Sequence, residues 1–264
     1  MPALHPVTLV GAGPGDPELL TLKAVRVIRE ATVILVDDLV GEQVLASVLA
    51  GVVPPPRVVN VGKRGGCAST PQAFIERLLV REAQAGEKVV RLKGGDPLVF
   101  GRAGEEMAAL REAGIEVQVV NGITSGLAAA QALGTGWTDR RWAQGVILVT
   151  GHAQAGHDGP DWDSIGAAAA RGLTLVVYMG LSRVEQIVQA LRRHVPGDWP
   201  AAVVQGASTA TQRQALTTLE RLPALIETEG FRSPAVLVMG RVLEASALAQ
   251  AESLLSQGPA RAAG

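Results

Sequence analysis

The chain has 264 residues, which at a typical ~150 residues per domain is nearly enough for two domains. Lys and Arg number 24 against 25 Asp and Glu, and only 3% of residues are aromatic, which argues against a protein that binds nucleic acid through phosphate neutralisation or base stacking. A hydrophobic fraction of 47% allows sizeable cores, and the single cysteine, Cys67, excludes internal disulfides and thiolate metal clusters.

Other features place the chain among soluble proteins. The start, MPALHPVTLV, lacks the charged segment and long apolar core of a signal peptide. The longest apolar stretch, Leu173 to Leu181, is well short of the ~20 residues that span a membrane. The four histidines show no metal-ligand spacing. We therefore expect a cytoplasmic protein with no bound metal.

In the first half, short β-branched runs alternate with amphipathic segments. The predicted strands are Val7–Val10, Thr32–Val36, Val58–Val61, Val89–Leu92 and Val117–Val120. Helices are predicted near 18–30, 41–50, 71–85 and 104–113. This alternation is typical of a mainly parallel sheet with helices on its faces.

A second series of elements follows Asn121. Its predicted strands are Val146–Val149, Thr174–Tyr178, Ala202–Val204, Ala215–Thr218 and Ala235–Met239, with helices near 125–133, 182–193 and 219–229. We place the domain boundary near 119–123, which gives α/β domains over 1–120 and 121–248. Residues 249–264 are rich in small side chains and are expected to form a flexible tail.

The first strand leads directly into a glycine-rich turn, Gly11–Pro17. A dinucleotide fingerprint would need glycine where Asp16 stands, and Pro14 removes an N–H from the loop. The pattern therefore disfavours a nicotinamide-dependent oxidoreductase. A purely structural turn and a close backbone approach to another ligand both remain open.

Three further segments end predicted strands. Asp37 and Asp38 are interpreted either as a cap of the next helix or as a general base. The turn Val61–Gly66 carries Lys63 and Arg64, which suit an anionic substrate or a solvated turn equally.

The segment Arg91–Glu106 combines four glycines with several acids and cations, which favours a binding loop. Within it, Asp96 could accept hydrogen bonds from a ligand, whereas Glu105 and Glu106 need only a helix-dipole explanation.

Later strands end in similar turns. Thr124 or Ser125 could cap the following helix or contact a ligand at the domain junction. His152 is interpreted as structural, and Tyr178 as a core residue.

Together these segments resemble the tetrapyrrole methyltransferase family. The matching pieces occur in family order over roughly 7–243: VGAGPGDPELLTLKA, VDDLV, VGKRGG, RLKGGDPLVFGRAGEE, NGITSG, VTGH, VYMG and TQRQALTTL. GAGPGD marks only the broad family. The stretch RLKGGDPLVFGR is similar to the branch that methylates uroporphyrinogen III.

The resemblance implies two α/β domains with mainly parallel or mixed sheets and an active-site cleft between them, in a homodimer. It also implies the reaction, which is two methyl transfers from S-adenosylmethionine to pyrrole carbons of uroporphyrinogen III. The products are precorrin-2, formed through precorrin-1, and S-adenosylhomocysteine. This reaction requires no metal, and it feeds sirohaem and cobalamin synthesis.

The resemblance also assigns site residues. Acid–base roles fall on Asp37 and Lys63. Cofactor contacts fall on Pro14, Gly94, Gly95, Asp96, Val99, Thr124, Ser125, Met179, Ala207 and Ala235, with Ala207 standing where glycine is usual. Because the substrate bears eight carboxylates, the candidates for binding it are the guanidinium groups of Arg64, Arg102 and Arg140.

The chain departs from the family pattern at several positions. Asn121 and Gly126 stand where proline and alanine are common, and Ala103 replaces a glycine. The usual I-P-L-T-H-R is Thr135–Arg140 here, with Asp139 in place of histidine. Two alternatives therefore stay open: a methyltransferase for a later corrin precursor, and a non-catalytic protein that binds S-adenosylmethionine.

Overall fold

The computed structural model describes residues 4–62, 70–152 and 159–244. The chain divides into two compact units, Met1–Ser125 and Gly126–Gly264. This division lies just C-terminal to the boundary predicted near 119–123. The predicted tail, 249–264, lies outside the described residues.

The first unit alternates strands with helices. Its strands are β1 (Val7–Gly11), β2 (Val33–Val36), β3 (Arg57–Asn60), β4 (Val89–Lys93) and β5 (Val117–Val120). Its helices are α1 (Leu22–Glu30), α2 (Glu42–Leu49), α3 (Gln72–Gln84) and α4 (Ala103–Glu112). The helix predicted from residue 18 begins later because Thr21 caps it, accepting a hydrogen bond from the N–H of Ala24 at 3.1 Å. A short 3-10 turn, Pro17–Leu19, precedes that cap.

The first sheet has five strands in the order β3-β2-β4-β1-β5, and every neighbouring pair is parallel. Helices α1 and α2 pack on one face, and α3 and α4 pack on the other. Strands β1, β2 and β4 are buried along their whole length. This two-sided burial explains why β1 and β2 are mainly apolar runs rather than alternating patterns, whereas β4 also buries Arg91 and Lys93.

The second unit contains a mixed sheet. Its strands are β6 (Gly145–Thr150), β7 (Leu173–Tyr178), β8 (Pro200–Gln205), β9 (Arg213–Thr218) and β10 (Ala235–Met239). Its helices are α5 (Ser125–Leu133), whose first residue falls in the first unit, α6 (Trp162–Ala170), α7 (Val184–Leu191) and α8 (Leu222–Thr228). The strand order is β6-β7-β10-β8-β9, with β6 and β7 parallel and the other pairs antiparallel. The predicted fold class of two α/β domains with parallel and mixed sheets is confirmed.

Helix α6 is the one element of the described chain that the sequence patterns missed. Its sequence, WDSIGAAAA, consists largely of small residues and gives a weak amphipathic signal. A start signal was nevertheless present, because Asp161 caps the helix by accepting a hydrogen bond from the N–H of Ser164 at 3.1 Å.

Candidate active site

The carboxyl ends of all strands in the first sheet lie at one edge, because every neighbouring pair is parallel. The connection from β1 to β2 runs through α1 on one face, and the connection from β4 to β5 runs through α4 on the other. Ligands of open parallel sheets bind where such connections diverge. That point lies between β1 and β4, and the glycine-rich segments noted in the sequence follow these two strands.

Three loop backbones lie against one another at this point. The N–H of Gly95 donates to the carbonyl of Gly13 at 2.7 Å, and the N–H of Gly13 donates back at 3.2 Å. A Cβ on Gly122 would lie 2.3 Å from the carbonyl oxygen of Gly95, so only glycine fits there. We call this arrangement of Gly13, Gly95 and Gly122 the backbone cradle. Its close backbone approach fits the S-adenosylmethionine site that the sequence predicts.

Asp96 connects two loops of the cradle. Its side chain is buried, and Oδ1 accepts a hydrogen bond from the N–H of Leu98 at 2.8 Å. Oδ2 accepts from the side-chain amide of Asn121 and from the N–H of Gly122, both at 3.1 Å. The chain itself therefore uses most of the roughly four acceptor positions of this carboxylate. Any effect of Asp96 on a ligand would act through loop position as well as through contact.

Other residues predicted for the cofactor lie in the same loops. The Cα of Thr124 lies 3.6 Å from where a Cβ on Gly95 would stand. Val99 donates its N–H to the backbone carbonyl of Asp96 at 3.2 Å. The loops around the cradle thus carry all the cofactor residues predicted in this unit: Pro14, Gly94, Gly95, Asp96, Val99, Thr124 and Ser125.

Asp37 lies at the same sheet edge, directly after β2. Its interpretation as a cap of the next helix is wrong, because α2 begins after Gly41 and no side chain caps it. Instead, Oδ2 of Asp37 lies 3.3 Å from Nη2 of Arg91. Burial opposes ionisation of Asp37, but a side-chain hydrogen bond with Asp38 and the charges of Arg91 and Lys93 outweigh it. The pKa of Asp37 therefore lies below its ordinary value.

Arg91 belongs to a group that we call the charge cluster, formed by Asp37, Arg91, Lys93 and Glu106. Glu106 is wholly buried and accepts hydrogen bonds from Nε of Arg91 at 3.0 Å and from Nζ of Lys93 at 3.0 and 3.1 Å. The side chains of Arg91 and Lys93 are only 3% and 5% exposed, whereas that of Asp37 is 25% exposed. Asp37 is therefore the member of the cluster that solvent reaches most.

The interpretation of Glu106 as a helix-dipole residue alone is wrong, because its carboxylate is the counter-ion of two buried cations. The sequence held a signal for this. Arg91 and Lys93 stand two residues apart in an otherwise apolar strand, so both point to one face of the sheet. Cations buried on one face need an anion nearby.

The arginines predicted for the substrate differ in their surroundings. Arg102 is exposed and pairs with Glu105 through two hydrogen bonds of 2.8 and 2.6 Å. Arg140 is also exposed, and within the described ranges it forms no hydrogen bond or ion pair. Its guanidinium is therefore available to a carboxylate. Arg64, like the predicted catalytic Lys63, lies outside the described residues.

Asp139 pairs with the arginine next to Arg140. Its two carboxylate oxygens accept hydrogen bonds from Nε and Nη2 of Arg141, both at 3.0 Å. Hydrogen bonds from the side chain and the backbone N–H of Arg141 lower the pKa of Asp139 to about 2. Asp139, which stands where the family has histidine, thus pairs with Arg141 and not with the predicted substrate residue Arg140.

In the second unit, the predicted cofactor residues lie at one edge of the sheet. Strand β10 runs antiparallel to β7 and β8, so its first residue, Ala235, pairs with the last residue of β8, Gln205. Met179 follows β7 directly, with a left-handed φ of 53° and a side chain that is 49% exposed. A non-glycine residue such as Met179 keeps a left-handed conformation only where its surroundings fix it. Ala207 is buried just beyond β8.

Tyr178 has a role that the sequence analysis missed. The N–H of Gly126 donates to the Tyr178 hydroxyl at 3.0 Å, and Nε1 of Trp137 donates to the carbonyl of Gly126 at 2.7 Å. The hydroxyl of Thr174 donates to the carbonyl of Trp137 at 2.8 Å. We call these four residues the tyrosine cluster. A Cβ on Gly126 would lie 2.1 Å from the Tyr178 hydroxyl oxygen, so glycine at this unusual position makes room for the hydroxyl.

In the described part of the chain, no group of three or more His, Cys, Asp or Glu side chains is arranged to hold a metal ion. No helix in these ranges is long and apolar enough to cross a membrane.

Comparison with known proteins gives consistent matches. Residues 6–223 match the family described as tetrapyrrole (corrin/porphyrin) methylases. A curated uroporphyrinogen-III C-methyltransferase of Pseudomonas aeruginosa is 49% identical over 238 residues, which cover 89% of this chain and 93% of that protein. Siroheme synthase 2 of Aeromonas hydrophila is 45% identical over 238 residues, covering 90% of this chain but 49% of that longer protein.

A solved structure is similar over the same range. It is the uroporphyrin-III C-methyl transferase of Thermus thermophilus complexed with S-adenyl homocysteine, which is 43% identical with a TM-score of 0.75. The match covers 91% of this chain and 100% of the Thermus chain. Both the order of the elements and the sequence are therefore shared along most of the chain.

Proposed function

This chain belongs to the tetrapyrrole (corrin/porphyrin) methylases, and we propose that it methylates uroporphyrinogen III with S-adenosylmethionine. Two pyrrole carbons are methylated in turn, giving precorrin-1 and then precorrin-2. The observation that carries this proposal is the 49% identity to the Pseudomonas enzyme over 93% of that enzyme's length. The product feeds sirohaem and cobalamin synthesis, in keeping with the similarity to a siroheme synthase.

The cofactor residues of the first unit are those around the backbone cradle. When bound, S-adenosylmethionine supplies a methyl group that its positively charged sulfur already activates. The remaining task of the chain is to hold the donor and the acceptor carbon in line. Asp96 contributes by fixing the Asn121–Gly122 turn against the loop that carries Gly95. In the second unit we assign cofactor contacts to Met179, Ala207 and Ala235.

Asp37 and Lys63 are the proposed catalytic residues. A pyrrole ring that gains a methyl group on carbon becomes cationic until a proton is lost. Because the pKa of Asp37 lies below its ordinary value, its carboxylate is charged at neutral pH and can stabilise that cation. The same shift makes Asp37 a weak base, so we assign it electrostatic stabilisation first and proton transfer second.

The substrate carries eight carboxylates, and we propose that Arg64, Arg102 and Arg140 bind some of them. Arg140 is the best supported by its surroundings, since its exposed guanidinium has no partner among the described side chains. Arg102 would donate to the substrate through the N–H groups that its pairing with Glu105 leaves unused.

We also infer that the chain acts as a homodimer in the cytoplasm and binds neither nucleic acid nor membrane. The resemblance to the family supports the dimer, and the formal charge of −1 argues against a nucleic-acid partner. Light scattering coupled to size-exclusion chromatography would test the dimer, and a monomeric mass at working concentration would contradict it.

The function is tested by anaerobic incubation of the purified protein with uroporphyrinogen III and S-adenosylmethionine. We expect the tetrapyrrole to gain two methyl groups by mass spectrometry, with one S-adenosylhomocysteine released for each. Methylation of a later corrin precursor alone would shift the assignment within the family. Binding of S-adenosylmethionine with no methylated product from any tetrapyrrole would support the non-catalytic alternative.

A further inference from the structure

Three members of the charge cluster are buried, and the fourth, Asp37, is partly exposed. Its two cations and two anions balance, and Glu106 at its inner end is wholly buried. At its outer end, the side chain of Asp37 is 25% exposed at the sheet edge. Burying ions is costly even when they are paired, and apolar residues of similar volume are often as stabilising or more so. Stability alone therefore does not account for a charge cluster at the candidate site.

The guanidinium of Arg91 links the two ends of the cluster. Its Nε donates to Glu106 at 3.0 Å, and its Nη2 lies 3.3 Å from Asp37. Its Nη1 lies 3.4 Å from the carbonyl of Leu35 and 3.3 Å from that of Leu92. Because the guanidinium is a rigid plane, the contact that holds one edge sets the direction of the other edge. The position of Glu106 is thus transmitted to Asp37.

We propose that Glu106 is a positioning residue for methyl transfer, because it neutralises part of the charge of Arg91 and Lys93 and so keeps these cations from engaging the Asp37 carboxylate fully, which leaves that carboxylate available to the substrate. This inference rests on the role proposed above for Asp37. Glu106 itself is wholly buried, so we assign it no direct contact with the substrate. Its effect passes through the two cations of β4.

The charged groups that face Asp37 in the described structure come from three elements. Strand β4 supplies Arg91 and Lys93, helix α4 supplies Glu106 behind them, and Asp38 adjoins Asp37 in the chain. Of these, the two cations favour ionisation of Asp37, and Glu106 neutralises part of their charge. Residues 63–69, which include Lys63, lie outside the described part and are unchanged in every variant below.

Charge balance predicts opposite effects at the two ends of the cluster. In Glu106→Gln, Asp37 becomes the only anion beside two buried cations, so its pKa falls further. In Arg91→Met, Lys93 and Glu106 remain as a neutral pair and Asp37 loses its direct partner, so its pKa rises. Lys93→Met also raises it, because one cation then faces two anions. Opposite shifts would show that the two ends of the cluster are electrostatically coupled, and turnover then decides whether that coupling serves methyl transfer.

The titration is measured by nuclear magnetic resonance on protein carrying ¹³C at the Asp side-chain carboxyls. The resonance of Asp37 is assigned by its loss in Asp37→Asn, and the pH is lowered from neutral to about 2.5, through the ordinary Asp range. We expect the midpoint to fall in Glu106→Gln and to rise in Arg91→Met. Equal midpoints in both variants and the wild type would overturn the proposal. This measurement needs no substrate, so it stands even if the proposed reaction is wrong.

Two further variants guard against simple loss of structure. Glu82 is another buried carboxylate of the first unit, and it pairs with Arg57 and Arg81 away from the charge cluster. We expect Glu82→Gln to lower stability but to leave the Asp37 midpoint unchanged. The double variant Glu106→Gln/Lys93→Met restores charge balance, so its Asp37 midpoint should return toward the wild-type value. A double variant that stays as far displaced as Glu106→Gln would contradict the charge-balance argument.

Turnover supplies the functional readout. We expect Glu106→Gln to lower kcat about tenfold, a small share of what acid–base and charge effects contribute to catalysis, with an unchanged Kd for S-adenosylmethionine. In Arg91→Met the acid limb of the kcat profile should move to higher pH. A shifted Asp37 midpoint with unchanged kcat and pH profile would refute a role in methyl transfer. If the wild type itself methylates no tetrapyrrole, the proposed function fails, and the resonance data still decide whether Glu106 controls Asp37.

Discussion

The two units bury polar groups in opposite ways. The charge cluster of the first unit contains four ion-paired acidic and basic side chains, whereas the tyrosine cluster of the second is built from hydroxyl, indole and backbone groups. Charges act over several ångströms in a poorly polarisable interior, while a neutral hydrogen bond acts only at contact. Changes in the first cluster should therefore alter ionisation at a distance, and changes in the second should alter only local fit.

The largest effect on stability is expected at the inner end of the charge cluster. Glu106→Leu leaves Arg91 and Lys93 buried without their counter-ion, which typically costs about 3–5 kcal/mol. Urea unfolding at neutral pH measures the loss. The matched variant is Glu106→Leu/Lys93→Met, which keeps Arg91 with Asp37 as its counter-ion and should recover much of the stability. Equal losses in the single and double variants would mean that shape, and not charge, governs this cluster.

A smaller loss of stability is expected from substitutions in the tyrosine cluster. Gly126→Ala places a methyl group within 2.1 Å of the Tyr178 hydroxyl oxygen, and such overpacking costs about 1–3 kcal/mol. Tyr178→Phe removes the hydroxyl at a cost of about 1 kcal/mol, the usual value of a hydrogen bond. In the double variant the alanine meets less obstruction, so the two losses should be less than additive. Strict additivity in thermal unfolding would show that the two residues do not share this space.

These two clusters also show where sequence reasoning ends. The strands and most helices were predictable because apolar spacing is local, and the glycine turns were predictable because they follow strands directly. Gly126 and Tyr178 are 52 positions apart, and no local pattern pairs them. Glu106 stands at a helix start, where the helix dipole already explains an acid, so nothing local required it to be buried.

For the candidate site residues, the sequence predicted the loop in which each residue lies but not its hydrogen-bond partners. Asp96 lies in a loop beside paired glycines, as its sequence position indicates, but its donors come from Leu98, Asn121 and Gly122. Two of these donors lie in the next loop of the cradle. Only the parallel sheet, which places successive strand ends side by side, brings that loop within reach.

Substitution of Asp96 tests whether this carboxylate affects cofactor affinity by holding the loops of the backbone cradle in position. Asp96→Ala removes the acceptor of three hydrogen bonds, so we expect affinity for S-adenosylmethionine to fall about tenfold, the equivalent of one good hydrogen bond. Isothermal calorimetry measures the change. Asp96→Asn keeps the size of the side chain and part of its acceptor capacity, so its loss should be smaller. Wild-type affinity in Asp96→Ala would remove this residue from the cofactor site.

Asp37, at the outer end of the charge cluster, should make the free energy of unfolding depend on pH. The pKa of Asp37 is lowered in the folded protein, so its contribution is present above its unfolded pKa of ~3.9 and is lost as pH falls through the folded value. The free energy of unfolding should therefore decline more steeply over this acid range in the wild type than in Asp37→Asn. Urea titrations at a series of pH values measure both slopes. Equal slopes would mean that Asp37 is not stabilised as an anion.

The smallest effect on stability is expected on the exposed loop of the second unit, which serves as a baseline for both clusters. Arg140 and Arg141 are adjacent and exposed, but among the residues that the structure describes only Arg141 is paired, with Asp139. Neither Arg140→Ala nor Arg141→Ala should change the melting temperature measurably, because exposed ion pairs contribute little. Arg140→Ala should nevertheless raise the KM for uroporphyrinogen III about tenfold, the value of one charge-assisted contact, while Arg141→Ala leaves it near the wild-type value. Equal KM values in the two variants would remove Arg140 from the substrate site, whereas the expected split would show that an unpaired surface arginine, and not surface charge in general, selects the substrate.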